Sequence, residues 1–351
     1  MQANRDVRRI SGELPAIHAY FDLPPESPDG AWVVYFEFTD GVPGPGDLVL
    51  VRPDGSERRV ILEGRSGNAH SALTQQWVDA NRLAFKEGQA DEVTTILDVR
   101  DGGTRDIPGA IRMLSPDGGR AVTFVGEPDN PRRRVVCVTD IESGEMTRLF
   151  DVQDALAIHP FADRIEQREG LIFMNAKWAP DGSQFFAVFN NEVYRRDHPD
   201  VIRVKSIVIA GADGSGLRYL KEIGHHPMWS PDGSSITSFD FATEGGQDFI
   251  AQPVDSGEPC TILERATGVH PTLSADGRRI LTDAFYKDRK EAAILMYDTA
   301  TGDYETLATF RSEDTTHETG CHPHPAWSRD ESRAYFNAAD DGTPHLYAMD
   351  L

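Results

Sequence analysis

The sequence predicts an all-β protein, a seven-bladed β-propeller of four-stranded antiparallel blades. Three observations carry this. A turn motif recurs seven times at a mean spacing of ~50 residues, short apolar strands follow each copy, and long helical periodicity is nearly absent.

The turn copies come first because they set the frame. They read SPDG at Ser27–Gly30, WVDA at Trp77–Ala80, SPDG at Ser115–Gly118 and APDG at Ala179–Gly182. SPDG at Ser230–Gly233, SADG at Ser274–Gly277 and SRDE at Ser328–Glu331 complete the series. Proline presets φ and glycine accepts positive φ, so the tetrapeptide is a tight turn between strands. After the copies come AWVVYF, RLAF, RAVTFV, QFFAVF, SITSFDF, RILTDAF and RAYFN. A further strand usually follows, such as DLVLVRP, TTILDVR, RVVCVTD, SIVIA, AILMYD or HLYAMD, and a last one often closes the unit. These runs are rich in Val, Ile, Phe and Tyr and are bounded by Gly, Asp and Pro. Residues 151–170 break the pattern and are read as a short helix in a loop between two repeats. The final run HLYAMDL lacks an outermost partner, and Asp6–Ser11 resembles a spare outer strand. The N-terminal strand is therefore expected to complete the last blade and close the ring. No linker-like tract divides the repeats, so residues 1–351 are read as one domain.

Composition narrows the function. The chain has 351 residues, 39% hydrophobic, enough for a real core. Its 57 acidic and 35 basic side chains give a net charge of −22, which disfavours docking on nucleic acid or an anionic membrane. No run reaches 18 apolar residues, and the N-terminal MQANRDVRRISGEL lacks the apolar core of a secretory signal. A cytoplasmic location is expected, and three separated cysteines (Cys137, Cys260, Cys321) fit a reducing compartment. A G-x-S-x-G elbow, a phosphate-binding glycine loop and a C-x-x-C pair are all absent from the sequence.

The innermost strand of each blade lines the channel, so equivalent positions in successive repeats converge. Counting back six residues from the turn aspartate gives Asn175, His226, His270 and His324 in repeats four to seven, and His322 lies two residues before His324, on the same side of a strand. Only 11 histidines occur in the chain, so this phasing points to a metal site with open positions. Neutral imidazoles suit Zn, Mn, Fe or Cu and leave the ion its full charge, which can draw an anionic group. His70, with Gln75 and Gln76, and His18 with Tyr20 are read as structural contacts near the same channel. Arg203 and Lys205 are read as sharing one face of a strand. His159, His198, His317 and His345 are read as loop or surface residues.

At these residues the chain resembles the oligogalacturonate lyases, seven-bladed propellers that act in pectin breakdown in the cytoplasm. The resemblance is carried by AIHAYFDLPPESPDGAWVVYF, GADGSGLRYLKEIGHHPMWSPDGS, GVHPTLSADGRRILTD and HETGCHPHPAWSRDESRAYFNAADDGTPHLY. It implies a metal-dependent β-elimination on a uronic-acid oligosaccharide. It further implies a manganese ion, with zinc or another transition metal as alternatives, held by His270, His322 and His324. The family's glutamine ligand falls on Thr319. His226 matches the proton-abstracting histidine, and Arg203 and Lys205 are the cations nearest the family's substrate-binding arginine. The implied partner is a small acidic oligosaccharide. Two other readings remain open: another metal-dependent sugar-acid enzyme on the same propeller, and a non-catalytic binding propeller of the TolB type.

Overall fold

The computed structural model describes residues 1–87, 92–127, 130–165, 168–241, 246–255, 257–312, 321–339 and 341–351. Its strands fall into seven separate antiparallel sheets, and the fold is a seven-bladed β-propeller. The first blade runs Ala16–Ile17, Val33–Phe38, Gly44–Val51 and Arg59–Gly67. The other innermost strands, in order, are Gln76–Trp77, Ala110–Leu114, Ile172–Trp178, His225–Trp229, Thr272–Leu273 and Ala326–Trp327. Each recurring turn joins an innermost strand to the second strand of its blade, as the repeat spacing predicts. In five of these turns the glycine lies at φ of 68–72°, where a side chain would be strained. The turn serines at 27, 115, 230, 274 and 328 donate to the aspartate two residues on, at 2.6–2.8 Å.

The ring closes as expected. Val7–Arg9 pairs with His345–Asp350 in the seventh blade, Val7 opposite Met349 and Arg9 opposite Tyr347. The structure adds a second N-terminal strand that the sequence reading missed. Gln2–Ala3 pairs with Tyr304–Arg311 and makes the sixth blade five-stranded. Helix Val152–Ala157 sits in the connection from the third to the fourth blade, capped at its N-terminus by Asp151. No helix among the described residues is long and apolar enough to cross a membrane.

The core is distributed around the ring rather than gathered at one centre. Seven apolar clusters each join two neighbouring blades, for example Phe36 and Leu83 between the first and second, and Tyr35 and Leu346 between the first and the last. Indole N–H groups reinforce them. Trp77, Trp178, Trp229 and Trp327 donate Nε1–H to the backbone carbonyls of Pro25, Met113, Lys177 and Thr272, each in the preceding blade. These bonds fix neighbouring blades in register and so fix how channel-facing side chains of different blades meet.

Candidate metal centre

The histidines stand where innermost strands begin, at one end of the channel. Proline explains the local backbone. Pro227, Pro271, Pro323 and Pro325 follow His226, His270, His322 and His324, and a proline cannot donate to a strand ladder. The sixth and seventh innermost strands begin just after Pro271 and Pro325 and are two residues long. The fifth carries a register shift between His225 and Met228. His226 and His324 adopt φ of 50° and 47°, far from the extended backbone usual before proline. Ala72 and Thr74, just after His70, also have positive φ, at 50° and 55°. Half of the eight non-glycine residues with positive φ among the described residues thus belong to this one locality. Such strain persists where the surrounding fold imposes it and gathers at functional sites.

The convergence is close. The His324 ring centroid is 4.4 Å from that of His270, 4.7 Å from His70 and 5.5 Å from His322. His226 is 4.5 Å from His270. One ligand nitrogen from each of His70, His322 and His324 lies within 4.8 Å of the other two. Three nitrogens about 2.1 Å from one ion stand about 3.4–3.6 Å apart in a tetrahedral or trigonal array, so side-chain shifts of roughly an ångström close the set on an ion. His324 is fully buried, and neither of its ring nitrogens has a hydrogen-bond partner. A buried imidazole in that state is costly unless something binds it. The donor set therefore fits a divalent transition-metal ion.

Asp283, fully buried on the second strand of the sixth blade, organises the set. Its carboxylate accepts from Nδ1 of His270 at 2.8 and 2.9 Å, from the His270 backbone N–H at 3.1 Å and from the His324 backbone N–H at 3.2 Å. Nδ1 of His270 is thereby the protonated nitrogen, and Nε2 is left as the ligand atom, the usual arrangement behind a metal-binding histidine. Burial pushes the Asp283 carboxyl up to about 7. His18 shares its Nε2–H with the His324 carbonyl at 2.7 Å, and Asn337 holds the His18 N–H and the His322 carbonyl. Burial, then the neighbouring imidazoles, hold His226 and His324 well below the usual histidine range, so both are neutral at pH 7.

The expected site residues divide as follows. His226, His270, His322 and His324 come together. Thr319 and His317 lie outside the described residues. Arg203 precedes the strand Lys205–Gly211, and both cations are engaged by Glu192, at 3.1 Å from Arg203 and 2.9 Å from Lys205. Burial, and then the nearby Lys205 and Arg203 charges, lower His225, with Glu192 working against them. Gln75 and Gln76 make backbone hydrogen bonds, and His18 donates to the His324 carbonyl while its Nδ1 is buried without a partner. His70 and Tyr20, read as structural contacts, both face the cluster. The Tyr20 ring lies 4.5 Å from His324 and 5.3 Å from His70. His159 lies in a loop as expected but is buried, and His345 is buried at the start of strand His345–Asp350. His159 meets Ser206 and Glu222, and His345 meets Ser11 and Arg9. Cys321 packs against the cluster of the first two blades, and burial pushes its thiol to about 12, which keeps it protonated.

No family model and no curated protein matches the chain. Solved structures do. An oligogalacturonate lyase in complex with manganese superposes with a TM-score of 0.78 at 15% identity, over 100% of this chain and 94% of the other. The chain has the fold of the oligogalacturonate lyases. A second such enzyme, from Vibrio parahaemolyticus, gives 0.76 at 15% identity, covering 99% and 93% of the two chains. The likeness weakens for other propellers. The Swd1 β-propeller domain of Myceliophteria thermophila covers 99% of this chain and 100% of its own, at 12% identity and a TM-score of 0.56.

Proposed function

We propose that the protein is a metal-dependent lyase that performs β-elimination on a uronic-acid oligosaccharide, in the manner of an oligogalacturonate lyase. The observation that carries this reading is His324, buried with both ring nitrogens unpartnered amid the imidazoles of His70, His270 and His322. His270, His322 and His324, together with His70, hold the cation, for which manganese is the first candidate. The 4.8 Å grouping favours His70 in the place that the family resemblance gives to Thr319. When bound, a divalent ion supplies Lewis-acid stabilisation of the charge that develops beside the uronate carboxylate.

The chain's own groups do the rest. His226 takes the proton beside the carboxylate. Its Nδ1 is buried without a partner, and its burial keeps the ring neutral and able to accept. As the proton leaves, the C–H electron pair becomes the new double bond, the glycosidic C–O bond breaks, and the departing oxygen takes a proton from solvent. Lys205 and Arg203 meet the substrate carboxylate from the rim by exchanging Glu192 for it. The substrate is a small acidic oligosaccharide in a cytoplasmic setting, and a net charge of −22 argues against nucleic acid or an anionic membrane as partner.

The test is His226→Asn, because asparagine tolerates the positive φ of this position. Formation of the unsaturated product, followed by ultraviolet absorbance, should fall by about 10²–10⁴-fold while metal content is unchanged. Unchanged product formation removes His226 from the role of base. The engagement of both rim cations by Glu192 favours one second reading, another metal-dependent enzyme of sugar acids. A panel of uronic-acid oligomers separates the two.

A further inference from the structure

In the first blade the innermost strand ends at Ile17, and the chain then leaves the sheet until the turn at Ser27. The intervening loop crosses the channel. Tyr20 lies against His324 and His70, and the Phe21 ring lies 5.1 Å from His270, 5.5 Å from His226 and 6.4 Å from His324. The next residue, Asp22, reaches the innermost strand of the fourth blade, where its carboxylate meets the Lys177 ammonium at 2.6 Å. Only 3% of the Lys177 side chain and 4% of the Asp22 side chain are exposed. The ammonium also sits 4.8 Å from the centre of the Phe21 ring and 2.8 Å from Sδ of Met228.

Lys177 is not placed to meet a substrate, since its ammonium is held by the buried Asp22 carboxylate and only 3% of its side chain is exposed. Stability alone is a poor reason for the pair. Desolvating two charges costs about as much as their attraction returns, and apolar replacements of such pairs are often neutral or stabilising. What the pair supplies is one register. An extended apolar loop could settle across the channel in several ways, but only one brings Asp22 to a buried ammonium.

We infer that Asp22 and Lys177 are a positioning pair: they pin the first-blade loop across the channel, so that Tyr20 and Phe21 become the wall that holds the ligand imidazoles of His270 and His324, and beside them the base His226, in place. This rests on the metal reading given above. The pair acts through the two aromatic rings and touches neither ion nor substrate.

The experiment measures Mn²⁺ affinity by calorimetry and the visible spectrum of the Co²⁺-loaded protein. It uses the wild type, Lys177→Arg, Lys177→Met and the double variant Asp22→Leu with Lys177→Met. Lys177→Arg keeps the charge and should keep affinity and spectrum. Lys177→Met strands a buried carboxylate, and should weaken Mn²⁺ binding by about 10–100-fold, the range for groups that orient metal ligands. The double variant removes both charges and so restores folding where the single variant does not. It should retain the thermal midpoint of the wild type but still bind Mn²⁺ more weakly and show an altered Co²⁺ spectrum. A double variant with wild-type affinity and spectrum overturns the inference while leaving the metal site standing. A wild type that binds no metal overturns the metal reading and the inference with it.

Discussion

Asp283 is the residue on which the geometry of the histidine cluster turns, because one carboxylate fixes the His270 ring and the His324 backbone together. Asp283→Asn keeps the shape, removes the charge and offers a donor where His270 already donates. Metal affinity should drop by about 10–100-fold in a calorimetric titration, and an unchanged affinity would detach Asp283 from the site. The constant-offset count found His226, His270 and His324 because their blades keep one distance from channel mouth to turn. It missed His70, which stands nine residues before Asp79, in a segment that folds back on itself through the Asn68–Ala72 bridge and the positive-φ residues Ala72 and Thr74. Asp283 and Lys177 did leave a signal, a charged residue inside an apolar strand run (RILTDAF and IFMNAKW). A buried charge on such a strand needs a partner, which is His270 for Asp283 and Asp22 for Lys177. The burial of His159 and His345 was not legible because a histidine near a loop is buried only if hydrogen-bond partners wait for it, and those partners come from distant segments.

At the scale of strands and turns the repeat was legible because its turn chemistry is local: proline, aspartate and glycine act within four residues. The fifth strand Gln2–Ala3 was not, since two residues carry no periodicity and its pairing with Thr309 and Ala308 is set by where the ring brings the N-terminus. The tryptophan bonds between blades give a test of what holds neighbouring innermost strands in register. Trp229→Phe retains most of the apolar contact between the fourth and fifth blades but loses the bond to the Lys177 carbonyl, 2.9 Å long and buried. The urea midpoint should fall by an amount equal to about 1–2 kcal/mol of stability. An unchanged midpoint would mean that apolar packing alone sets the register.

Over the whole molecule, the buried imidazoles couple stability to pH. Burial lowers His18 to about 4 and holds His226 and His324 well below 6.5. As the pH falls below about 6.5, the unfolded chain therefore takes up protons on these three imidazoles that the native protein resists. Asp283 has the opposite sign, because the native carboxyl, raised to about 7, keeps a proton that the unfolded chain releases. The balance leaves more protons on the unfolded state. Stability of the metal-free protein should then fall as pH drops from 6.5 towards 4, by about 1.4 kcal/mol per pH unit for each net proton. Thermal melts of chelator-treated protein across that range check the sign, and a midpoint that rises on acidification would contradict it. Added Mn²⁺ should raise the midpoint at neutral pH and lose that effect in acid, since only neutral imidazoles bind.

The whole account depends on imidazoles from separate blades sharing one cation. Anomalous scattering from crystals grown with Mn²⁺ addresses this most directly. A single strong peak is expected at the channel mouth, bonded to His70, His322, His324 and the His270 Nε2. A map with no peak there, or with manganese bound only among surface carboxylates, would contradict it.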